Sequence, residues 1–197
     1  MAGRTLRLAH RGDWRVAPEN SLEAMRAAMA IAACDGLEFD IRSSSDGVPV
    51  VIHDDTLERV QGRPEAVADL TAAALAALGV PTLTAVLEAA DRRAFLDVEL
   101  KTVPGPGIIE ILAAGRGPQL TGAVISSFDE AALVKIGRLA PSWPRWPPAS
   151  APTSTPTPAW AASCSRSWRS WVRTCPRGTS GWRASPRHRS ATGRWTG

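Results

Sequence analysis

The sequence predicts an α/β protein in which helices cover a parallel sheet. Short apolar runs, typical of buried strands, alternate along residues 5–139 with Ala- and Leu-rich segments that have helical spacing. The runs are nearly continuous in apolar residues, as strands are when both faces of a parallel sheet are buried. A doubly wound open sheet and a TIM barrel both fit, and both bind ligands at the C-terminal ends of their strands.

The elements follow from local signals, taken in chain order. Pro18, Asn20 and Ser21 give a turn and a cap before the first helix, Gly36 breaks this helix before the second strand, and the turn SSSDG leads into the third strand. Thr82 or Thr84 caps the helix before the fourth strand, and Asp129 opens the last helix. The predicted strands are 5–9, 36–41, 48–53, 93–100 and 122–128, and the predicted helices are 21–34, 70–78, 83–91, 107–115 and 129–139. No Gly-rich dinucleotide fingerprint follows the first strand, which argues against a dinucleotide-binding sheet.

The net charge of +4 is the sum of the charges of two unlike segments. Residues 1–140 contain all 19 acidic residues and 14 basic ones, which gives −5. Residues 141–197 contain nine Arg and no Lys or acidic residue, which gives +9. A basic protein often binds nucleic acid or a membrane surface, but here only the last segment is basic. We therefore predict a domain at 1–140 and a separate tail at 141–197.

The tail has the composition of a low-complexity segment. It contains nine Pro, ten Ser and seven of the eight Trp, but no Leu, Ile, Met or Phe. Such a segment has too few aliphatic residues to complete a packed sheet, so we expect it to be disordered. Pro, Arg, Ser, Trp, Ala and Gly are also what GC-rich codons give in a wrong reading frame. We interpret the tail as the product of a frameshift near residues 140–148; the alternative is a genuine low-complexity tail.

Cysteine content and the N-terminal sequence indicate the cellular compartment. Cys34, Cys164 and Cys175 are too few and too scattered for a disulfide framework or a zinc site. The N-terminal residues show no apolar signal core, and no apolar run reaches membrane-spanning length. We expect a cytoplasmic protein without a transmembrane segment.

Charged groups at or near the ends of the strands predict the functional site. Glu38 and Asp40 are two residues apart on one strand and so share a face, and Glu99 and Lys101 repeat this spacing. Three converging carboxylates make an oxygen-rich site for Mg²⁺ or Ca²⁺. The alternative is a set of surface carboxylates beside Arg and Lys side chains.

Two histidines and two cations complete this predicted site. His10 and His53 are the histidines of residues 1–140, and each lies at a strand end, as expected of a general acid and a general base. Arg11 and Lys101 add positive charge, although Arg11 also has Asp13 or Glu19 as a simple structural partner. A divalent metal ion and two cations, together with three carboxylates, give the site a net charge of about +1, which suits a phosphodiester anion.

The motifs of residues 5–140 closely resemble those of the glycerophosphodiester phosphodiesterase family. They occur in order as HRGD…APENSLEAMRAA…GLEFDIRSSSDGVPVVIHDDTLERVQG…LTAAALAALGVPTLTAVLEA…FLDVELK…VISSF. The resemblance implies a TIM barrel that hydrolyses glycerophosphodiesters to glycerol 3-phosphate and an alcohol with a divalent metal, Mg²⁺ or Ca²⁺. The attacking group would be the neighbouring glycerol hydroxyl, through a cyclic phosphate, or water.

The resemblance also assigns roles to residues of this chain. They are the acid–base pair His10 and His53, the phosphate-binding Arg11 and Lys101, the metal ligands Glu38, Asp40 and Glu99, and the supporting residues Glu19, Asn20 and Asp54. Phe128, after the fifth strand, either lines the pocket or packs in the core. The implied partner is a small phosphodiester, and no nucleic acid is expected.

The chain departs from the family in length. A complete barrel takes about 250 residues, and residues 1–140 supply about five of its eight β/α units. Three alternatives to an active phosphodiesterase therefore remain: a truncated inactive relative, a non-enzymatic protein whose basic, Trp-rich tail binds a membrane surface or nucleic acid, and a barrel that binds phosphate without hydrolysis.

Overall fold

The computed structural model describes residues 5–146, in which strands and helices alternate as predicted. The strands are β1 (Leu8–His10), β2 (Gly36–Ser43), β3 (Pro49–Val51), β4 (Phe95–Leu100), β5 (Ala123–Ser126) and β6 (Arg145–Trp146). The helices are α1 (Leu22–Met29), α2 (Glu58–Gln61), α3 (Ala72–Ala77), α4 (Leu83–Ala89), α5 (Gly107–Arg116) and α6 (Glu130–Leu139), with a 3₁₀ turn at Val67–Asp69. None of these helices is long and apolar enough to cross a membrane.

The sheet has the order β1-β2-β4-β5-β6, and neighbours on this path are parallel. Helices α1, α5 and α6 follow β1, β4 and β5 and return the chain to begin the next parallel strand. The caps Ser21, Thr82 and Asp129 accept hydrogen bonds from the backbone N–H groups of Ala24, Ala85 and Ala131 at 3.1, 3.2 and 2.9 Å. The side-chain caps therefore begin α1, α4 and α6 where the sequence predicts.

Strand β3 corrects the prediction of a third parallel strand at 48–53. It pairs antiparallel with the end of β2, with Val51 opposite Ile41 and Pro49 opposite Ser43. The connection from Ser44 to Val48 is a tight turn in which the Ser44 N–H donates to the Val48 carbonyl at 3.0 Å. A parallel crossover needs a dozen or more residues, so this short turn permits only a hairpin.

The ordered sheet extends past residue 140, where the predicted tail begins. Arg145 and Trp146 form β6 beside Ile125 and Ser126, and they supply the fifth parallel strand in place of β3. Trp143 is buried, and its indole N–H donates to the Pro118 carbonyl at 2.9 Å. Residues 147–197 of the predicted tail lie outside the described residues.

The parallel sheet has one apolar face and one polar face. Alternate residues such as Leu37, Phe39 and Val98 are fully buried in the main hydrophobic core with side chains of α1, α4, α5 and α6. A second, smaller core lies around β3 and α3 and includes Leu57 and Leu75. Because side chains alternate along a strand, the opposite face of the sheet carries the charged residues of β2 and β4.

Candidate active site

Three carboxylates converge on the polar face of the sheet. Glu38 and Asp40 lie two residues apart on β2, and the register places Asp40 opposite Glu99 of β4. One oxygen from each of Glu38, Asp40 and Glu99 lies within 4.8 Å of the other two. Oxygen ligands at this spacing suit a hard divalent cation such as Mg²⁺ or Ca²⁺.

Glu38 provides the test of whether this cluster fits a metal ion. Both of its carboxylate oxygens are buried and have no hydrogen-bond partner among the described residues. Burial, followed by the nearby charges of Asp40, Asp97 and Glu99, raises the pKa of Glu38 to about 9. A buried carboxyl group without a donor takes up either a proton or a cation. The residues present therefore fit a divalent metal ion.

Two cations flank the carboxylates through Asp40. Arg11 Nε lies 3.1 Å from Asp40 Oδ2, and Lys101 Nζ lies 3.0 Å from Asp40 Oδ1. Lys101 also pairs with Glu99. Asp40 is completely buried, and the side-chain amide of Asn20 donates to it at 2.9 Å. The predicted phosphate-binding residues thus lie directly beside the predicted metal ligands.

The loop after β1 holds Arg11 and Asn20 in an unusual backbone conformation. Both have positive φ, 60° and 59°, in the left-handed region that residues with a Cβ seldom adopt. The Asn20 N–H donates to the Arg11 carbonyl at 2.9 Å, which closes the loop. Backbone strain of this kind persists where the surrounding structure fixes it, and here it directs both side chains toward Asp40.

His10 ends β1 opposite Glu38, and its Nε2 lies 3.7 Å from Glu38 Oε2. Its side chain is 58% exposed, so it remains accessible to a ligand on this edge of the sheet. Partial burial and then the positive charge of Arg11 lower the pKa of His10. Of the two predicted catalytic histidines, His10 is the one in direct contact with the carboxylate cluster.

His53 is connected to the cluster by a chain of hydrogen bonds that ends at Arg11, which contacts Asp40. Its Nδ1 lies 2.5 Å from Asp54 Oδ1, and Asp54 Oδ2 lies 2.5 Å from Arg59 Nε. Arg59 Nη2 lies 2.6 Å from Glu19 Oε1, which also accepts from Arg11 Nη1 at 3.0 Å. His53, Asp54 and Arg59 line a cleft of about 510 Å³.

Three further residues refine the predicted site, and two of them, Asp97 and Arg59, have no predicted role. Asp97 accepts a hydrogen bond from Ser126 Oγ at 2.6 Å and lies opposite Glu38; its two-residue spacing from Glu99 is the signal that points to it. Arg59 has no such signal, because its partners lie 5 and 40 residues away in loops. Phe128 is 68% exposed, with its ring centroid 6.0 Å from Lys101 Nζ, so it does not pack in the core.

Comparison with known proteins connects this geometry to a family. A sequence model of the glycerophosphoryl diester phosphodiesterase family matches residues 10–172. A glycerophosphodiester phosphodiesterase of Caldanaerobacter subterraneus subsp. tengcongensis is 35% identical over 156 residues, which cover 70% of this chain and 64% of that protein. The glycerophosphodiester phosphodiesterase 1 of Rattus norvegicus is 47% identical over 64 residues, 32% of this chain and 19% of that one.

Solved structures give the same result for the fold. A glycerophosphodiester phosphodiesterase from Agrobacterium tumefaciens superposes with a TM-score of 0.64 at 31% identity, covering 72% of this chain and 66% of that one. A glycerophosphodiester phosphodiesterase from Thermotoga maritima superposes with a TM-score of 0.63 at 28% identity, covering 74% of this chain and 62% of that one. The prediction of a TIM-barrel type of fold is confirmed. The chain thus spans slightly less than two thirds of the length of the Caldanaerobacter protein and of the Thermotoga structure.

Proposed function

Because this chain belongs to the glycerophosphoryl diester phosphodiesterase family, we propose that it hydrolyses glycerophosphodiesters to glycerol 3-phosphate and an alcohol. The observation that carries the proposal is the convergence of Glu38, Asp40 and Glu99 with two cations on the polar face of the sheet. Carboxylates that bind a metal beside cations that bind a phosphate are what phosphodiester hydrolysis requires. Lipid and glycerol metabolism, in the cytoplasm, is the setting we propose.

Glu38, Asp40 and Glu99 would hold the metal ion, which we propose to be Mg²⁺ or Ca²⁺. When bound, it supplies positive charge that stabilises the phosphate oxygens as negative charge develops on them. Arg11 and Lys101 bind the same phosphate group from the protein side, and Asp40 holds both of them in place at about 3 Å. Asn20 fixes Asp40, and Glu19 fixes Arg11.

His10 and His53 serve as the acid–base pair. One accepts the proton of the attacking group, either the adjacent glycerol hydroxyl or water, as the new P–O bond forms. The other donates a proton to the alkoxide oxygen as the bond between that oxygen and phosphorus breaks. If the glycerol hydroxyl attacks, a cyclic phosphate forms. Water then adds to its phosphorus as one ring P–O bond breaks, with the roles of the two histidines exchanged, which gives glycerol 3-phosphate. In His53 the Nδ1–H donates to the Asp54 carboxylate, because a carboxylate can only accept, and Nε2 is left for the proton transfer.

Glycerophosphocholine hydrolysis by the purified full chain tests the proposal. We expect release of glycerol 3-phosphate with Mg²⁺ or Ca²⁺ and none with EDTA. We expect His10→Ala and His53→Ala to lower kcat by about 10² to 10⁴, the usual contribution of a general acid or base. His188→Ala is the matched control, since His188 belongs to the tail and to none of the motifs, and it should retain wild-type turnover.

The same experiment separates the proposal from its main alternative. Because the chain covers 64% of its relative from Caldanaerobacter, a truncated inactive form is the competing possibility. Folded protein that hydrolyses no glycerophosphodiester with either metal would contradict the proposed activity and support the inactive form. Turnover that survives EDTA would contradict the metal-dependent mechanism alone.

A further inference from the structure

Arg59 connects two loops that are distant in sequence. It lies on the short helix α2, and its guanidinium contacts Asp54 after β3 and Glu19 before α1. Nε reaches Asp54 Oδ2 at 2.5 Å, and Nη2 reaches Glu19 Oε1 at 2.6 Å. A guanidinium group suits this task because its donors lie in one plane and fit two carboxylates in fixed directions.

Asp54 shares its two oxygens between Arg59 and His53. Oδ2 accepts from Arg59, which leaves Oδ1 for the Nδ1–H of His53 at 2.5 Å. Arg59, followed by His53, lowers the pKa of Asp54 to about 2, so the carboxylate stays ionised and able to accept at neutral pH. A carboxylate fixed at one oxygen holds the imidazole in one tautomer and one orientation.

Glu19 extends the connection to the phosphate-binding side of the site. Its Oε1 accepts from both Arg59 and Arg11, and these two hydrogen bonds lower its pKa. Arg11 in turn contacts Asp40. The other cation that lines the His53 cleft, Arg42, donates to the backbone carbonyl of His53 at 2.8 Å. Among the described residues, Arg59 is thus the cation placed to hold Asp54 and Glu19 together.

We propose that Arg59 is a positioning residue for His53: it ties Asp54 to Glu19 and so fixes the imidazole, with Nε2 available for proton transfer, relative to Arg11 and Asp40. The proposal rests on the proposed phosphodiesterase function for its kinetic consequence. Its structural consequence, a single tautomer of His53, does not depend on activity.

Steady-state kinetics of Arg59→Gln on glycerophosphocholine gives the first test. We expect kcat to fall about tenfold or more while KM stays within about twofold, because the histidine is misplaced but the phosphate-binding groups remain. Arg63→Gln is the matched control. Arg63 has the same 49% side-chain exposure and pairs with Glu65, outside the site, so its kcat should match wild type.

Nitrogen-15 NMR of histidine-labelled full chain gives the second test. The chain has three histidines, and the variants His10→Ala and His188→Ala assign the remaining signals. At a pH where imidazoles are neutral, we expect wild-type His53 to carry its proton on Nδ1 alone. Arg59→Gln should give a mixture of tautomers, and Arg63→Gln should keep the wild-type signals.

The two measurements together decide the proposal. Wild-type kcat with an unchanged tautomer in Arg59→Gln would overturn it, as would a rise in KM at constant kcat, which would make Arg59 a substrate ligand. An equal loss of kcat in Arg63→Gln would also overturn it.

If wild type hydrolyses nothing, the proposed function fails, and the tautomer of His53 alone decides the role of Arg59. If Arg59→Gln does not fold, Arg59→Lys replaces it. We expect its kcat to lie between that of wild type and complete loss, because lysine keeps the positive charge but cannot donate from a planar group to both carboxylates.

Discussion

Lys101, just after β4, pairs with Asp40 of β2, with Nζ 3.0 Å from the carboxylate oxygen Oδ1. Arg11 contacts the other oxygen of the same carboxylate, so one completely buried acid lies between two cations, which Glu19 and Glu99 also contact. Removing one partner of a buried ion pair leaves the other charge with less compensation in a medium that solvates it poorly. We predict that Asp40→Asn lowers the free energy of unfolding by about 3 kcal/mol or more.

Urea unfolding at neutral pH in EDTA measures this loss. Asp69→Asn is the matched control, because Asp69 is an exposed acid in the 3₁₀ turn. Its effect should stay within about 0.5 kcal/mol, as for most surface substitutions. Equal unfolding midpoints for Asp40→Asn and wild type would show that the buried carboxylate does not hold the two cations.

Glu38 should behave in the opposite way from Asp40 when no metal is present. Its buried oxygens have no hydrogen-bond donor among the described residues and face the charges of Asp40, Asp97 and Glu99. We predict that Glu38→Gln lowers the affinity for Mg²⁺ or Ca²⁺ by about tenfold or more, since an uncharged amide oxygen replaces a charged ligand. In EDTA, the variant should be at least as stable as wild type.

Isothermal titration with each metal checks the affinity, and urea unfolding in EDTA checks the stability. Glu110→Gln, an exposed position on α5, serves as the matched control and should change neither quantity. Unchanged metal affinity in Glu38→Gln would remove Glu38 from the proposed ligand set.

Gly36 is required by a close approach between β2 and β4. A Cβ at this position would overlap the carbonyl oxygen of Phe95, its partner in the parallel pair. Backbone cannot move aside as a flexible side chain can, so we predict that Gly36→Ala destabilises the protein by about 3 kcal/mol or more. At Gly105 nothing lies within 4 Å of a Cβ, and Gly105→Ala should have little effect. Thermal unfolding compares the two variants, and equal midpoints would contradict the prediction.

The sequence predicted the parts of this fold that depend on local periodicity. The strand–helix alternation and the three side-chain caps were recoverable because each is determined by residues within a few positions of one another. The direction of β3 was predicted wrongly, because an apolar run predicts a strand but not its direction; the short turn SSSDG before it permits only an antiparallel hairpin. Strand β6 was not predicted, because Arg145 and Trp146 lie in a segment without Leu, Ile, Met or Phe.

In the candidate site, too, the sequence predicted the residues that are related by local spacing and missed those that are brought together by the tertiary fold. The two-residue spacing of Glu38 with Asp40 and of Glu99 with Lys101 predicts a shared face, and the structure brings all four together. Arg59 lies on the short helix α2, but its partners Asp54 and Glu19 lie in loops, so no period relates the three residues. Pairing through space between two loops depends on the tertiary fold, which a single sequence does not display.

The lowered pKa of Asp54 makes the stability of the protein depend on pH. The hydrogen bond from Arg59, and then that from His53, lower the pKa of Asp54 from 3.8 to about 2 in the folded state. A carboxyl group with a depressed folded-state pKa stabilises the protein fully above its unfolded-state pKa. That contribution is lost as the pH falls toward the folded-state value. We predict that wild type exceeds Asp54→Asn in stability at neutral pH, and that the difference disappears between about pH 4 and pH 2.

Urea unfolding of both proteins at several pH values checks this window. The same comparison in an Arg59→Gln background supplies the control, because Arg59 is the largest cause of the shift. There the effect of Asp54→Asn on stability should be smaller at neutral pH and should change less on acidification. An effect of the same size in both backgrounds would show that Arg59 does not stabilise the ionised Asp54.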